Sequence, residues 1–208
     1  MGARLQTARF SVTVVRMRDL PRDGLAEVAF AGRSNAGKSS AINRLCERRR
    51  LAFPSKTPGR TQALNYFAVG PADAANGYLV DTPGYGYAAV PHEVKHSWQA
   101  LAGSYLRQRD ALVGVVLMVD CRRGLGDKDS ELLDWIRPDV PCLILLTKAD
   151  KLSRMQQGKA LDALQRAYAQ QHGERAASFL LFSAQTGLGV EPARSLIESW
   201  LEVAPSDD

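Results

Sequence analysis

The chain has 208 residues, 45% of them hydrophobic and 24% charged, with a net charge of +5. That is one ordinary globular domain with enough chain for a full core, and a basic balance that favours a polyanionic partner such as RNA without requiring one. The three cysteines, Cys46, Cys121 and Cys142, are odd in number, widely spaced and each in or beside an apolar segment, which excludes a disulfide or zinc framework.

The first 24 residues are mixed. Phe10–Val15 reads as an edge strand or an extended arm, and Leu20-Pro21 breaks into a turn before the first core strand. Residues 25–204 then read as a single domain, with 205–208 as a disordered tail. Val28-Ala29-Phe30-Ala31 is a short buried strand that runs into Gly32-Arg33-Ser34-Asn35-Ala36-Gly37-Lys38-Ser39. This stretch fits G-x-x-x-x-G-K-[ST], the phosphate-binding loop. Glycines let successive N–H groups turn inward on a phosphate chain. Lys38 supplies a point charge for the outer phosphates, and the Ser39 hydroxyl is placed to ligate Mg²⁺. Ile42, Leu45 and Cys46 share one face of the helix that leaves the loop, and its N-terminus adds a favourable dipole. A chance match in a Gly/Ser-rich turn is the alternative, and the flanking strand and helix argue against it.

Arg48-Arg49-Arg50 follow, and residues 51–63, with Pro54, Pro58 and Gly59, read as a mobile loop. Leu64–Val69 and Tyr78–Val80 flank a Gly/Pro/Asn-rich turn, the pattern of an antiparallel hairpin. Asp81-Thr82-Pro83-Gly84 closes the second of these strands. Asp81 can hold Mg²⁺ through water, Gly84 can offer its N–H to the terminal phosphate, and Thr61 can complete the metal shell when a third phosphate is present.

A helix starts near Pro91, with Val94, Trp98, Leu101, Ala102 and Tyr105 inward. Within it His92-Glu93-Val94-Lys95-His96 matches the helical zinc-protease signature, but no obvious third ligand follows, and a solvated helix start is the better reading. Leu112–Val119 is an apolar run of strand length, suited to a parallel strand covered on both faces. The longest apolar run, Ala111 to Val119, is too short to cross a bilayer, and the N-terminus lacks an apolar leader, so a cytoplasmic protein without membrane insertion is expected. Asp129 caps a short helix whose Leu132, Leu133 and Ile136 face inward, and Cys142–Leu146 is another buried strand.

Thr147-Lys148-Ala149-Asp150 follows that strand. Asp150 can accept two hydrogen bonds from the adjacent N1–H and amino donors of guanine, a pair that adenine lacks, so it argues for GTP over ATP. The Lys148 stem can cover the base, and Ser183-Ala184 can offer an N–H to the guanine oxygen. Taken alone, this motif is an ordinary helix-start cap. The chain order makes it a base site. Leu161, Leu164 and Tyr168 mark the next helix, Phe179–Phe182 a strand, and Val190, Ala193, Ile197 and Trp200 the closing helix. The alternation gives a doubly wound α/β domain with a mostly parallel sheet, one antiparallel hairpin strand and helices on both faces.

These motifs together resemble the TRAFAC-class GTPases, and specifically the EngB family. The stretches that carry the likeness are 30–40, Thr57-Pro58-Gly59-Arg60-Thr61-Gln62, Asp81-Thr82-Pro83-Gly84-Tyr85-Gly86-Tyr87-Ala88, Thr147–Lys151 and Phe182-Ser183. The resemblance implies a slow, Mg²⁺-dependent GTPase that assists assembly of the large ribosomal subunit and is needed for division and septation. A GTP-dependent scaffold at the septum, with incidental hydrolysis, is the alternative. It also implies nucleotide contacts from Gly59, Arg60, Thr61, Gln62 and Ala63, from Asp81 to Gly84, and from Phe182, Ser183 and Ala184, besides the phosphate loop and Thr147 to Asp150.

Thr147 stands where many GTPases carry Asn, a variation the family shares. Tyr85 replaces the usual water-orienting Gln and has no amide to position water. No catalytic group is named beyond Lys38 and Asn35 as charge stabilisers. Asn35 lies three residues before Lys38, where several relatives bind K⁺, while a hydrogen bond to the loop's own backbone is its simpler role. A ribosomal precursor is the expected partner, with no DNA and a monomeric chain. Arg48, Arg49, Arg50, Arg107, Arg109, Arg122 and Arg123 are candidate RNA contacts or solvated surface.

Overall fold

The computed structural model describes residues 4–53, 63–86, 92–173 and 175–202, with the side chains of 92–99 outside that set. A seven-stranded sheet is formed by β1 (Arg9–Val14), β2 (Glu27–Gly32), β3 (Leu64–Val69), β4 (Gly77–Asp81), β5 (Leu112–Asp120), β6 (Cys142–Thr147) and β7 (Ala177–Leu181). Their order across the sheet is β1-β3-β4-β2-β5-β6-β7. β3 runs antiparallel to both β1 and β4, and the remaining pairs are parallel. One reversed strand therefore accounts for all the antiparallel pairing. The run expected at Phe10–Val15 forms the edge strand Arg9–Val14, with Val15 outside it and a bulge between Phe10 and Val12.

Alternation along the central strands divides the core in two. Ala29, Ala31, Val115, Leu117 and Val119 face one side, and Val28, Phe30, Val116 and Met118 face the other. Both sides are buried because helices cover both. The first side is covered by α2 (His92–Gln108), α3 (Asp127–Trp135) and α4 (Arg154–His172), through Leu101, Tyr105, Leu133, Leu164 and Tyr168. α1 (Lys38–Leu45) and α5 (Val190–Glu202) cover the second through Ile42, Leu45, Ala193 and Ile197. Val94 and Trp98, read as inward residues of α2, lie outside the described side chains. Of the loop expected over 51–63, residues 54–62 lie outside the described residues, as does the tail at 205–208.

The cap of α3 needs correction. Gly126 is the N-cap, and Asp129 sits in the first turn with its Oδ2 accepting from the Gly126 N–H at 2.9 Å. A glycine has no side chain to cap with, so the acid three residues on supplies the acceptor. The free Oδ1 is then available for another partner.

All three cysteines are buried and unbridged. Burial pushes the Cys46 and Cys142 thiols up to about 12, so neither is a nucleophile at neutral pH. No helix of the described residues is long and apolar enough to cross a membrane.

Candidate nucleotide site

β2 delivers the chain into the phosphate loop in the middle of the sheet. A Cβ on Gly32 would lie 2.9 Å from that of Met118, so only glycine lets β2 pass β5 this closely. Asn35 and Gly37 both take left-handed backbone, with φ of 66° and 95°. Glycine adopts this conformation freely, and Asn tolerates it better than most residues. The turn ends at the first residue of α1, so Lys38 and Ser39 stand where the helix dipole favours an anion.

Lys38 Nζ forms an ion pair with Asp81 Oδ1, and both side chains are largely buried. Lys38, expected to meet the phosphates, and the acid at the end of β4 are thus directed at one point. Ser39 follows on the first turn of α1, so a hydroxyl and a carboxylate, both hard oxygen donors, are available on this side. That donor set fits Mg²⁺. Ser39 would ligate the ion and Asp81 would hold it through water. Thr61, Gly59, Arg60 and Gln62, expected to complete the site, lie outside the described residues.

After Asp81 the chain is laid along the phosphate loop. Ser34 N donates to Tyr85 O at 2.8 Å and Tyr85 N to Gly32 O at 3.3 Å. A Cβ on Gly84 would meet Ser34 at 3.0–3.3 Å, so the glycine permits this approach. The Thr82 hydroxyl turns away and donates to Phe30 O at 2.9 Å. Tyr85 is buried, and its hydroxyl donates to Asp129 Oδ1 at 2.6 Å. Burial first, and Asp129 next, hold that phenol well above the usual tyrosine range. The position that carries Gln in many GTPases is therefore an anchor to α3. Sequence reasoning missed this link, because Asp129 already had an explanation as a cap.

The base side is tied to the same loop. Thr147 Oγ1 lies 2.5 Å from Ala36 O and 3.2 Å from Val119 O, so its hydroxyl joins β6 to the phosphate loop. Lys148, itself left-handed with φ 60°, lays its side chain across the loop. Its Nζ donates to Asn35 O at 2.7 Å and reaches Asp120 Oδ2 at 3.0 Å. Asp120 was not anticipated. Arg122 grips it through two nitrogens, at 2.9 and 2.7 Å, and with Lys148 holds it well below the usual carboxylate range. Its place at the C-terminal end of β5 was the available signal.

Asp150 Oδ1 accepts from Ser183 Oγ at 2.7 Å, and Lys151 stands 3.4 Å from its other oxygen. The Ser183 bond, more than Lys151, holds Asp150 below the usual carboxylate range, so it is ionised and able to accept two hydrogen bonds. Ala149 N donates to Phe182 O at 3.1 Å, fastening the two base-side loops together. Phe182 is buried, as is Ala63 before β3, while Ala184 is partly exposed. Arg33, Ser34 and Asn35 line a cleft of about 220 Å³, with Tyr85, Asp120 and Lys148 also on its walls.

His92–His96 opens α2, but those side chains are outside the described set. Among the described residues no group of three His, Cys, Asp or Glu is placed to hold a metal.

Residues 27–148 match the protein family described as 50S ribosome-binding GTPase. Over 213 residues the chain is 50% identical to the probable GTP-binding protein EngB of Paraburkholderia phytofirmans, covering 100% of this chain and 96% of that one. A crystal structure of a probable GTP-binding protein EngB superimposes with a TM-score of 0.63 at 23% identity, covering 85% of this chain and 98% of that one. Era in complex with MgGDPNP and nucleotides 1506–1542 of 16S ribosomal RNA superimposes with a TM-score of 0.63 at 22% identity, covering 85% and 57%. At such identities the two structures show the fold, that of a P-loop GTPase.

Proposed function

Because the chain belongs to the EngB family of GTP-binding proteins, a GTPase family, we propose that it is a slow, Mg²⁺-dependent GTP switch acting on precursors of the large ribosomal subunit. The match of residues 27–148 to 50S ribosome-binding GTPases carries this reading. In it the chain works in the cytoplasm as a monomer, and growth, division and septation depend on the particles it helps to finish. Lys38, Ser39 and Asp81 hold the phosphates and metal, Asp150 selects guanine, and loop 54–62 with Thr61 reports the third phosphate. Slow hydrolysis is supported by Tyr85, whose hydroxyl is committed to Asp129.

Asn35 supports a K⁺-assisted step. Its side chain is exposed and makes no hydrogen bond among the described residues, which supports this reading over a bond to the loop's own backbone. A cation held there can offset charge developing on the β–γ bridge. Faster hydrolysis in K⁺ than in Na⁺ at equal ionic strength, lost in Asn35→Ala, is expected. Equal rates in the two salts end that role.

The test of the main reading is sedimentation with large-subunit precursors. Co-sedimentation in a non-hydrolysable GTP analogue and release in GDP are expected. A chain that stays in the supernatant in both states overturns it.

A further inference from the structure

The arginines expected at an RNA surface divide sharply. Arg109 is turned inward, its Nε 3.0 Å from Glu27 Oε1 and its Nη2 2.7 Å from Pro21 O. Arg122 is held by Asp120, and Arg107 stacks over the Trp135 ring at 5.3 Å. Arg48, Arg49, Arg50 and Arg123 remain exposed with no salt bridge to any described residue, and the first three are consecutive.

These three are also held in a fixed turn. Cys46 ends α1, Glu47 takes left-handed backbone with φ 52°, and Arg48 N returns to Asn43 O at 2.8 Å. The Asn43 side chain then clamps the far side, accepting from Leu51 N at 2.9 Å and Ala52 N at 2.8 Å and donating to Ala52 O at 2.8 Å. Buried Arg194 pins the near side, donating to Leu45 O at 2.9 Å and pairing with Glu47 at 2.9 Å. Glu47 is the only acid between Arg44 and Phe53, and this pairing draws it away from its neighbours. Three adjacent guanidiniums are thereby displayed without a paired acid among the described residues. Phe53, next to buried Ala52, is 69% exposed.

Resting on the ribosomal reading above, we propose that the turn Arg48–Phe53 is an RNA-binding surface, the arginines gripping phosphates and Phe53 stacking on an unpaired base. Guanidinium forks match phosphate oxygens in pairs, as point charges do not. An exposed aromatic beside such a cluster is what single-stranded or looped RNA recognition uses. Repulsion within the run is relieved by a polyanion.

The test measures binding of the full chain, loaded with a non-hydrolysable GTP analogue, to deproteinised large-subunit rRNA across a salt series. Replacing Arg48, Arg49 and Arg50 together by Ala lowers the slope of log affinity against log salt by about 2, at roughly 0.7 per phosphate contact. Phe53→Ala weakens binding with the slope unchanged, and the triple Lys variant keeps most of the slope. Unaltered GTP affinity in each variant confirms folding, since none of these residues lines the described cleft. A triple Ala variant that binds rRNA with wild-type slope and affinity overturns the proposal. So does wild type that binds precursor particles but not deproteinised rRNA, which makes the partner a protein. Wild type that binds neither sinks the ribosomal reading itself.

Discussion

One hydroxyl sets how the base-side acid ionises. Ser183 is fully buried and holds Asp150 in its charged form. A depressed carboxylate stays competent for guanine above its lowered pKa and fails as pH falls through it. Ser183→Ala therefore shifts the acid limb of GTP binding upward, toward the ordinary carboxylate range of about 4. An unmoved limb in affinity measured against pH rules this out. Asp150→Asn weakens GTP about tenfold to a hundredfold, as expected for a lost charge-assisted hydrogen bond, and favours xanthosine triphosphate, whose carbonyl accepts from the amide. Unchanged GTP affinity removes the base-site assignment. Tyr85 makes the opposite kind of case. Tyr85→Gln installs the amide other GTPases use to orient water, yet it points at Asp129 inside the core. It lowers stability by about 1–3 kcal/mol, the scale of a buried acceptor left unpaired, without faster hydrolysis. Accelerated single-turnover hydrolysis would show that the side chain leaves the core.

Among the elements, the docking of α5 on β5 depends on an absent side chain. A Cβ at Gly114 would lie 2.2 Å from Cε3 of Trp200, so the indole occupies the space a methyl would need. Gly114→Ala costs about 1–3 kcal/mol by overpacking, read from urea denaturation. Adding Trp200→Leu recovers part of the loss, and no recovery means the damage lies in β5 itself. The opposite face of the sheet, one register position away, is held by a charge. Glu27, fully buried at the start of β2, accepts from Tyr66 at 3.1 Å, Tyr105 at 2.8 Å and Arg109 at 2.5 Å. It joins β2, β3 and α2 in one network. Periodicity places Tyr105 inward and marks the strands, but a Glu at a strand start carries no signal of burial. Its partners come from 39, 78 and 82 residues away.

For the molecule as a whole, acid sensitivity has a specific source. His172 closes α4 with Nε2 buried and unpaired and Nδ1 3.4 Å from Asp134. Burial, only partly opposed by Asp134, lowers its pKa in the folded chain. The unfolded chain therefore takes up a proton first, near the ordinary value of about 6.5, and stability present above that pH is lost as pH falls. Urea midpoints should drop between about pH 7 and pH 5 and flatten in His172→Gln. The same drop in the variant would place the effect elsewhere.

Sequence alone determined the alternation of strands and helices, the glycine-rich turn after β2, the acid at the end of β4 and the place of Asp150 just after β6. Those features are local: a hydrophobic period, a glycine where backbone must turn, a charged residue at a strand end. The single reversed strand was legible too, from the turn between two apolar runs. Whether Phe10–Val15 joined the sheet was not, because an edge strand and a free arm have the same pattern until β3 offers its unpaired edge. Nor could spacing show that Tyr85 is locked to Asp129, that Thr147 bonds the phosphate loop, or which arginines are left facing water. Each of these is decided by which distant polar group a side chain meets. Such a meeting becomes fixed only when the sheet closes and every buried donor and acceptor must find a partner.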